Sequence, residues 1–305
     1  MLRQTFLTLS NSRELQDVAL QNGLARKFAL RFVAGETPDQ AIRAVSALNA
    51  KGIRASLDHL GENVTRPHEA VAAADSYIDI LNLIASTGVD SNVSLKLTQM
   101  GLDIDEELCL DNVCRILKRA RELDNFVRLD MESSAYTDRT LGMFRRLWNE
   151  MGFRNVGVVL QAYLYRTKAD VREMNALGAR VRLCKGAYNE PPEHAFPRKA
   201  DVDANYAKLT RLLLTEGNYP GIATHDERLI EYTKRFAASR GISPATFEFQ
   251  MLYGVRRESQ EQLARQGYNM RVYVPYGQEW YPYFMRRLAE RPANVVFVLG
   301  NLIRR

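Results

Sequence analysis

The 305-residue chain is poor in the residues that staple or metallate small proteins. It has three cysteines, Cys109, Cys114 and Cys184, with no CxxC pair and an odd one left over. That pattern argues against a disulfide scaffold and suits a reducing compartment. The four histidines, His59, His68, His194 and His225, form no metal-spaced cluster, which argues against a zinc site. No apolar run reaches the roughly 18 residues needed to span a bilayer. The first ten residues, Met1 to Ser10, lack the apolar block and small-residue cleavage site of a secretory signal. No G-x-G-x-x-G motif follows any strand-like run, so the phosphate cradle of an open dinucleotide-binding sheet is missing. The expectation is a cytoplasmic protein with no metal and, at most, peripheral contact with the inner membrane face.

A hydrophobic content of 46% and a mean hydropathy of −0.31 fit a globular chain with a full core. The net charge is +6 and the isoelectric point is near 9.2. The densest basic pairs, Arg256-Arg257, Arg286-Arg287 and Arg304-Arg305, lie far apart in sequence. Dispersed cations read as a mildly basic enzyme surface, compatible with an anionic ligand, rather than a nucleic-acid footprint.

Eight strand-like runs recur: Ile53–Asp58, Val93–Leu97, Phe126–Glu132, Val156–Gln161, Arg180–Cys184, Gly221–His225, Thr246–Gln250 and Met270–Val274. Between them lie helix-like segments, clearest at Glu69–Ser86, with others at Leu108–Leu123, Arg139–Met151, Ala169–Leu177, Asp203–Leu214, Arg228–Ala238 and Ser259–Gln266. Alternation of this kind implies parallel pairing through right-handed crossovers. Eight repeats without a linker predict an α/β fold, one closed (β/α)8 TIM-like barrel over residues 51–305. A helical arm, chiefly Ser12 to Ala50, precedes it within residues 1–50, and a C-terminal helix covers the barrel mouth. The short apolar stretch Val295–Leu299 reads as a last helix docked on the core.

The run Ala179 to Tyr188 is the most informative. A strand that only built a core would not carry Arg180, Arg182 and Lys185 within six positions, because buried unpaired charge is expensive. Its carboxyl end therefore reads as opening into a site for an anion, with Gly186 permitting close backbone approach. A barrel places its active site at the carboxyl ends of its strands. Those ends supply Asp58 and Glu62, Lys96, Asp130 and Glu132, Gln161, Arg182 and Lys185, Thr224 and His225, Gln250, and Tyr273.

Several residues bear more than one reading. Lys96 is either a structural ion pair, for instance with Asp130, or an ammonium aimed at a substrate carboxylate or a Schiff-base carbon. Helical spacing puts Trp280, Tyr283, Phe284 and Arg287 on one face, where an arginine fork suits a carboxylate. The alternative there is a surface pair between Arg286 and Glu290. A lone histidine such as His225 is more often a supporting residue than a base. Tyr188, Tyr273 and Tyr276 either wall a small ring or simply pack.

The segments carrying these residues resemble the proline dehydrogenase (proline oxidase) family in its short monofunctional bacterial form. They are Ser94–Leu97, Arg128–Glu132, Leu160–Tyr163, Val181–Tyr188, Ala223–Asp226, Phe247–Leu252, Tyr273–Gly277 and then Arg286-Arg287, in family order from about Leu57 to Asn294. The resemblance implies FAD-dependent oxidation of L-proline to 1-pyrroline-5-carboxylate, with electrons passed to a membrane quinone. It implies that Arg286, Arg287 and Lys96 hold the proline carboxylate, while Tyr273, Tyr188 and Leu252 wall the pyrrolidine ring. Asp130 and Arg182 match active-site positions. Met131, Gln161, Lys185, Gly186, Ala187, Thr224 and His225, together with Arg182, match flavin-binding positions. Glu62 matches a gate that closes by pairing with an arginine, here Arg182. The segment Asn189–Pro192 departs from several family members. Two other classes stay open at this point, a barrel lyase using Lys96 or Lys185 as a Schiff base, and a non-catalytic basic barrel.

Overall fold

The computed structural model describes residues 30–61 and 64–290, with side chains through Arg287. Eight parallel strands close into a barrel in chain order. They are β1 (Arg54–His59), β2 (Ser91–Leu95), β3 (Val127–Leu129), β4 (Val156–Gln161), β5 (Arg180–Cys184), β6 (Gly221–Ala223), β7 (Glu248–Leu252) and β8 (Asn269–Tyr276). Pairing of β1 with β8, from Arg54 opposite Arg271 to His59 opposite Tyr276, closes the ring. Helix α1 (Pro38–Asn49) precedes β1. The crossovers hold α2 (Pro67–Thr87), α3 (Glu106–Glu122), α4 (Ser134–Arg145), α5 (Thr167–Ala176), α6 (Lys199–Glu216), α7 (Glu227–Ser239) and α8 (Arg257–Arg265), and α9 (Trp280–Glu290) follows β8. The expected barrel is the observed one.

Local chemistry sets the helix starts. Thr37 accepts a hydrogen bond from the Gln40 amide while the Gln40 side chain returns to the Thr37 N–H, and Pro38 occupies the first turn. Asp105 caps α3 by accepting from Leu108 N at 2.7 Å. Helix α1 contributes Ala41, Ile42 and Val45 to the same core that lies behind β1. The rest of the expected arm up to residue 29, and the stretch Val295–Leu299, lie outside the described residues.

Some boundaries differ from the sequence reading. The run Val93–Leu97 leaves the sheet after Leu95, so Lys96 is the first residue beyond β2. The run Phe126–Glu132 pairs only over Val127–Leu129, and β6 ends at Ala223. The residues dropped from these strands still carry apolar or alternating character, but they form the rim, where neighbouring strands have ended. Helix α4 begins at Ser134, ahead of the expected Arg139, because its buried early positions are Thr137 and Thr140, which do not read as an apolar face. A π-turn at Arg146–Glu150 closes it.

Side chains alternate between the two faces of each strand. One set, including Leu57, Leu95, Leu129, Leu183, Met251 and Val274, packs under the helices as the main core. The other set points into the bore, and it is polar. Arg182 on β5 reaches Ser56 on β1, Ser94 on β2, Asp130 beyond β3 and Gln250 on β7, which is possible only across the barrel interior. TIM barrels usually fill that interior with branched aliphatic side chains. Here Arg182 and Arg271 are paired with carboxylates, as buried charge requires, whereas Arg128 is held by backbone carbonyls. Arg271 Nε lies 2.9 Å and 3.0 Å from the Glu248 carboxylate oxygens. Arg128 Nη1 donates to the carbonyls of Arg180 at 2.7 Å and Val158 at 3.3 Å. Gly157 leaves room for that guanidinium, since a Cβ there would stand 2.9 Å from Nη1.

Burial alone would raise the Glu248 pKa. The Arg271 charge and hydrogen bond, with Arg128 behind them, outweigh burial and hold it below the usual glutamate range. A depressed folded pKa stabilises the fold above the unfolded value of about 4.3 and loses that contribution as pH falls toward the folded value. The urea midpoint should therefore drop as pH falls below about 5, and Glu248→Gln should flatten that acid limb while lowering the midpoint overall. An acid limb equally steep in the variant would exclude Glu248 as its source.

Candidate active site

At the carboxyl end of the barrel, four strands meet around one carboxylate. Asp130 accepts from Ser94 Oγ at 2.6 Å and Arg182 Nη1 at 2.8 Å on one oxygen, and from the Tyr273 hydroxyl at 2.7 Å on the other. The Arg182 guanidinium also lies over the Tyr273 ring, 5.2 Å from its centroid. Burial, then the Asp130 and Asp58 charges, push the Tyr273 hydroxyl well above the usual tyrosine value. Tyr273 therefore stays protonated and donates a hydrogen bond to Asp130.

Lys96 pairs with Asp58, its Nζ 3.3 Å and 3.4 Å from the two oxygens, and not with Asp130, the partner that sequence reading had suggested. Asp130 is taken by Arg182 and Tyr273, whereas Asp58 at the end of β1 is fully buried and needs a cation. Beneath this pair, the Tyr77 hydroxyl lies 2.9 Å from the Ser94 carbonyl, 3.3 Å from Gln99 Oε1 and 3.4 Å from Asp58.

The three cations of the β5 run go to three places. Arg180 sits at the strand's amino end, its guanidinium over the rings of Phe126 and Tyr219. Arg182 enters the bore. Lys185 lies at the mouth between Asp203 at 2.5 Å and Asp226 at 3.0 Å. Both lysines are thus engaged by carboxylates, which disfavours the amine nucleophile that a Schiff-base lyase needs. Gly186 has φ +108, and a Cβ there would stand 2.4 Å from the Tyr163 ring. Its glycine is required by backbone conformation and by space. The Tyr163 hydroxyl donates to Glu190 at 3.0 Å, and Glu190 accepts from Ser134 N at 2.9 Å, so the departing segment Asn189–Pro192 is tied to the start of α4.

The remaining expected residues line the same rim. Gln161 closes β4, its Nε2 donating to the Glu132 carbonyl at 3.1 Å, while its Oε1 is buried without a hydrogen-bond partner. The Glu132 carboxylate accepts from Thr98 Oγ1 at 2.8 Å, and Met131 is buried beside it. Thr224 accepts from Asp226 N at 3.1 Å. His225 Nε2 accepts from Leu252 N at 3.0 Å, joining the ends of β6 and β7. That bond leaves the ring proton on Nδ1 in the neutral imidazole, a supporting role. Ala187 is exposed and Tyr188 half-buried beyond β5. Helix α9 packs Trp280, Tyr281, Tyr283, Phe284 and Met285 with Leu60, just after β1, and against Tyr273 on β8. Arg286 and Arg287 are half-buried, and the Arg287 guanidinium lies 5.1 Å from the centroid of Tyr283. Glu62 and the Glu290 side chain lie outside the described residues.

The sequence gives Asp203, Asp226 and Tyr163 no site role, and it places Glu248 and Arg271 only within strand runs. A usable signal existed for the last two: polar residues repeat every second position at Ser56/Asp58, Arg128/Asp130, Glu248/Gln250 and Arg271/Tyr273, the period of one strand face. Asp203 pairs with a residue 18 positions away through a helix terminus, for which no local pattern exists. Among the described residues, no group of three or more His, Cys, Asp or Glu is arranged to hold a metal ion. Among them too, no helix is long and apolar enough to cross a membrane.

Fold and mouth together define a (β/α)8-barrel enzyme whose site combines a buried carboxylate, several cations and aromatic walls. The sequence profile of the family described as "Proline dehydrogenase" matches residues 41–299. The chain belongs to the proline dehydrogenase family and is an enzyme of that type, an oxidoreductase of proline catabolism. It is 45% identical over 305 residues to proline dehydrogenase 1 of Bacillus subtilis (strain 168), covering 100% of both chains. It is 44% identical to the proline dehydrogenase of Deinococcus radiodurans, covering 100% of this chain and 98% of that protein. Among solved structures, proline utilization A from Bdellovibrio bacteriovorus, inactivated by N-propargylglycine, superposes with a TM-score of 0.82 at 27% identity. That match covers 91% of this chain and 34% of the longer one.

Proposed function

We propose that the chain oxidises L-proline to 1-pyrroline-5-carboxylate with FAD as its cofactor and a quinone as the onward electron acceptor. What supports this most is the convergence at one mouth of Lys96, Asp130, Arg182 and Tyr273 from separate strands, with α9, the helix that carries Arg286 and Arg287, packed against Leu60 after β1 and Tyr273 on β8. In this reading residues 51–305 form the catalytic barrel and residues 1–50 an arm, and any membrane contact is peripheral at the inner face.

The residues present fit a flavin. Gln161 Oε1 is a buried acceptor with no partner, suited to a ring N–H, and Arg182 and Lys185 are the proposed donors to an electron-rich edge. Met131, Gly186, Ala187, Thr224 and His225 complete the proposed cradle. When bound, FAD supplies a two-electron acceptor for the hydride leaving proline C5.

The chain's own residues do the rest. Arg286 and Arg287 present planar forks to the proline carboxylate, and Lys96, steadied by Asp58, adds a third cation. Three cations on one small anion fix the ring's orientation, which is where the rate advantage of a near-attack geometry comes from. Tyr273, Tyr188 and Leu252 wall the apolar ring and exclude water. Asp130 holds Arg182 and Tyr273 in place, with the phenolic proton kept on Tyr273. Glu62 is the proposed gate toward Arg182.

The test is optical. Purified protein loaded with FAD should show a flavin spectrum that bleaches on anaerobic addition of L-proline, without nicotinamide. The bleaching rate should rise toward alkaline pH, because proline reacts with its nitrogen lone pair free. A protein that stays colourless with FAD, or a flavin indifferent to proline, would refute the reading.

A further inference from the structure

Below the mouth, the bore holds a second polar layer that the mechanism above does not use. Glu248 and Gln250 stand two residues apart on β7, both facing the bore and 1% and 3% exposed. Gln250 Nε2 donates to Glu248 Oε1 at 2.5 Å, and Gln250 Oε1 accepts from Arg182 Nε at 2.5 Å. A carboxylate only accepts and a guanidinium only donates, so the amide can satisfy both neighbours in just one of its two orientations. Arg271 in turn clamps both oxygens of Glu248. Gly221 on β6 faces the same amide, and a Cβ there would stand 2.4 Å from Nε2. The φ of Gly221 is not in the left-handed region, so this glycine supplies space rather than backbone freedom.

We propose that Glu248 and Gln250 are positioning residues for Arg182: Glu248 sets the polarity of the Gln250 amide, and the amide fixes the rotation of the Arg182 guanidinium about its bond to Asp130. The inference rests on the proposed function, in which Arg182 lies beside the flavin. Without the Gln250 anchor, Arg182 keeps Asp130 at 2.8 Å and Ser94 at 3.1 Å, with Ser56 more distant at 3.4 Å. Those contacts hold Nη1 firmly and Nη2 only through the long Ser56 contact, and they leave Nε loose. The positive field at the flavin then weakens, and with it the preference for the electron-rich reduced form.

Two variants test this from opposite directions, each as FAD-loaded full-length protein. Gln250→Met keeps the side-chain length and removes both hydrogen bonds, whereas Gly221→Ala removes no polar atom and displaces the amide. In both, the flavin midpoint potential measured spectroelectrochemically should move negative by about 30 mV, a tenfold weaker preference for the two-electron reduced state. Flavin reduction by proline should slow about tenfold per bound flavin, with the proline KM within about twofold of wild type. Met251→Ala, on the outward face of the same strand, is the control: it should lower the melting temperature and leave potential and rate per flavin unchanged. Potentials unchanged in both variants, or shifted as much in the control, would overturn the proposal. If Gln250→Met fails to fold, Gly221→Ala decides alone. A wild-type flavin that proline does not bleach would instead count against the proposed function, and the potentials would still test the positioning of Arg182.

Discussion

Replacing Asp130 with alanine is expected to lower kcat/KM for proline by about 10²- to 10³-fold, the largest effect of any single change at the mouth. Asp130 is the common acceptor for Ser94, Arg182 and Tyr273. Its removal leaves a guanidinium and two hydroxyls facing an empty position in a buried site. Breaking one side of a buried pair costs roughly 3–5 kcal/mol, and every ~1.4 kcal/mol lost from transition-state stabilisation is a factor of ten. The loss is divided between stability and catalysis, so the melting temperature should fall as well. Asp130→Asn, which keeps a carbonyl acceptor and the shape, should recover part of the rate. Stopped-flow flavin reduction and thermal melts on the same preparations check both effects. A kcat/KM within about fivefold of wild type for Asp130→Ala would mean that Arg182 and Tyr273 need no anchor.

Arg287→Met should raise the proline KM by roughly 10- to 100-fold and leave the flavin bound. Charge-assisted hydrogen bonds contribute about 1.5–3 kcal/mol each, which sets that range. Helix α9 should survive the change. Its docking rests on Trp280, Tyr283 and Phe284, buried with Leu60 and against Tyr273, and methionine preserves the apolar stem that passes Tyr283. Steady-state kinetics with the flavin content measured in parallel separates substrate binding from cofactor loss. A proline KM within twofold of wild type would remove Arg287 from the carboxylate clamp.

The barrel was legible in the sequence because its signal is periodic and local. Eight apolar runs alternate with amphipathic helices such as Pro67–Thr87, and a parallel sheet of eight such units has few ways to close. The candidate residues were legible for a related reason: once the strands are placed, barrel topology puts each strand's carboxyl end at one mouth. Asp130, Gln161, Arg182 and Tyr273 could be named from that rule, and the resemblance to a family then suggested their roles.

Pairing was not legible. Lys96 could face Asp58 or Asp130 on sequence grounds, and only the closed ring shows Asp130 already held by partners from β5 and β8. Arg180, Arg182 and Lys185 look equivalent in the chain and end in aromatic stacking, the bore and a carboxylate clamp. The sequence by itself determined which residues form strands, which face of each strand is apolar, and which side chains reach the mouth, because these follow from spacing along the chain. Only the tertiary structure decided which charge meets which, and that Gly221 and Gly157 are spaces left for neighbours. Those contacts join residues up to 216 positions apart, as between Arg271 and Ala55, and no local pattern encodes a distance that exists only after the ring has closed.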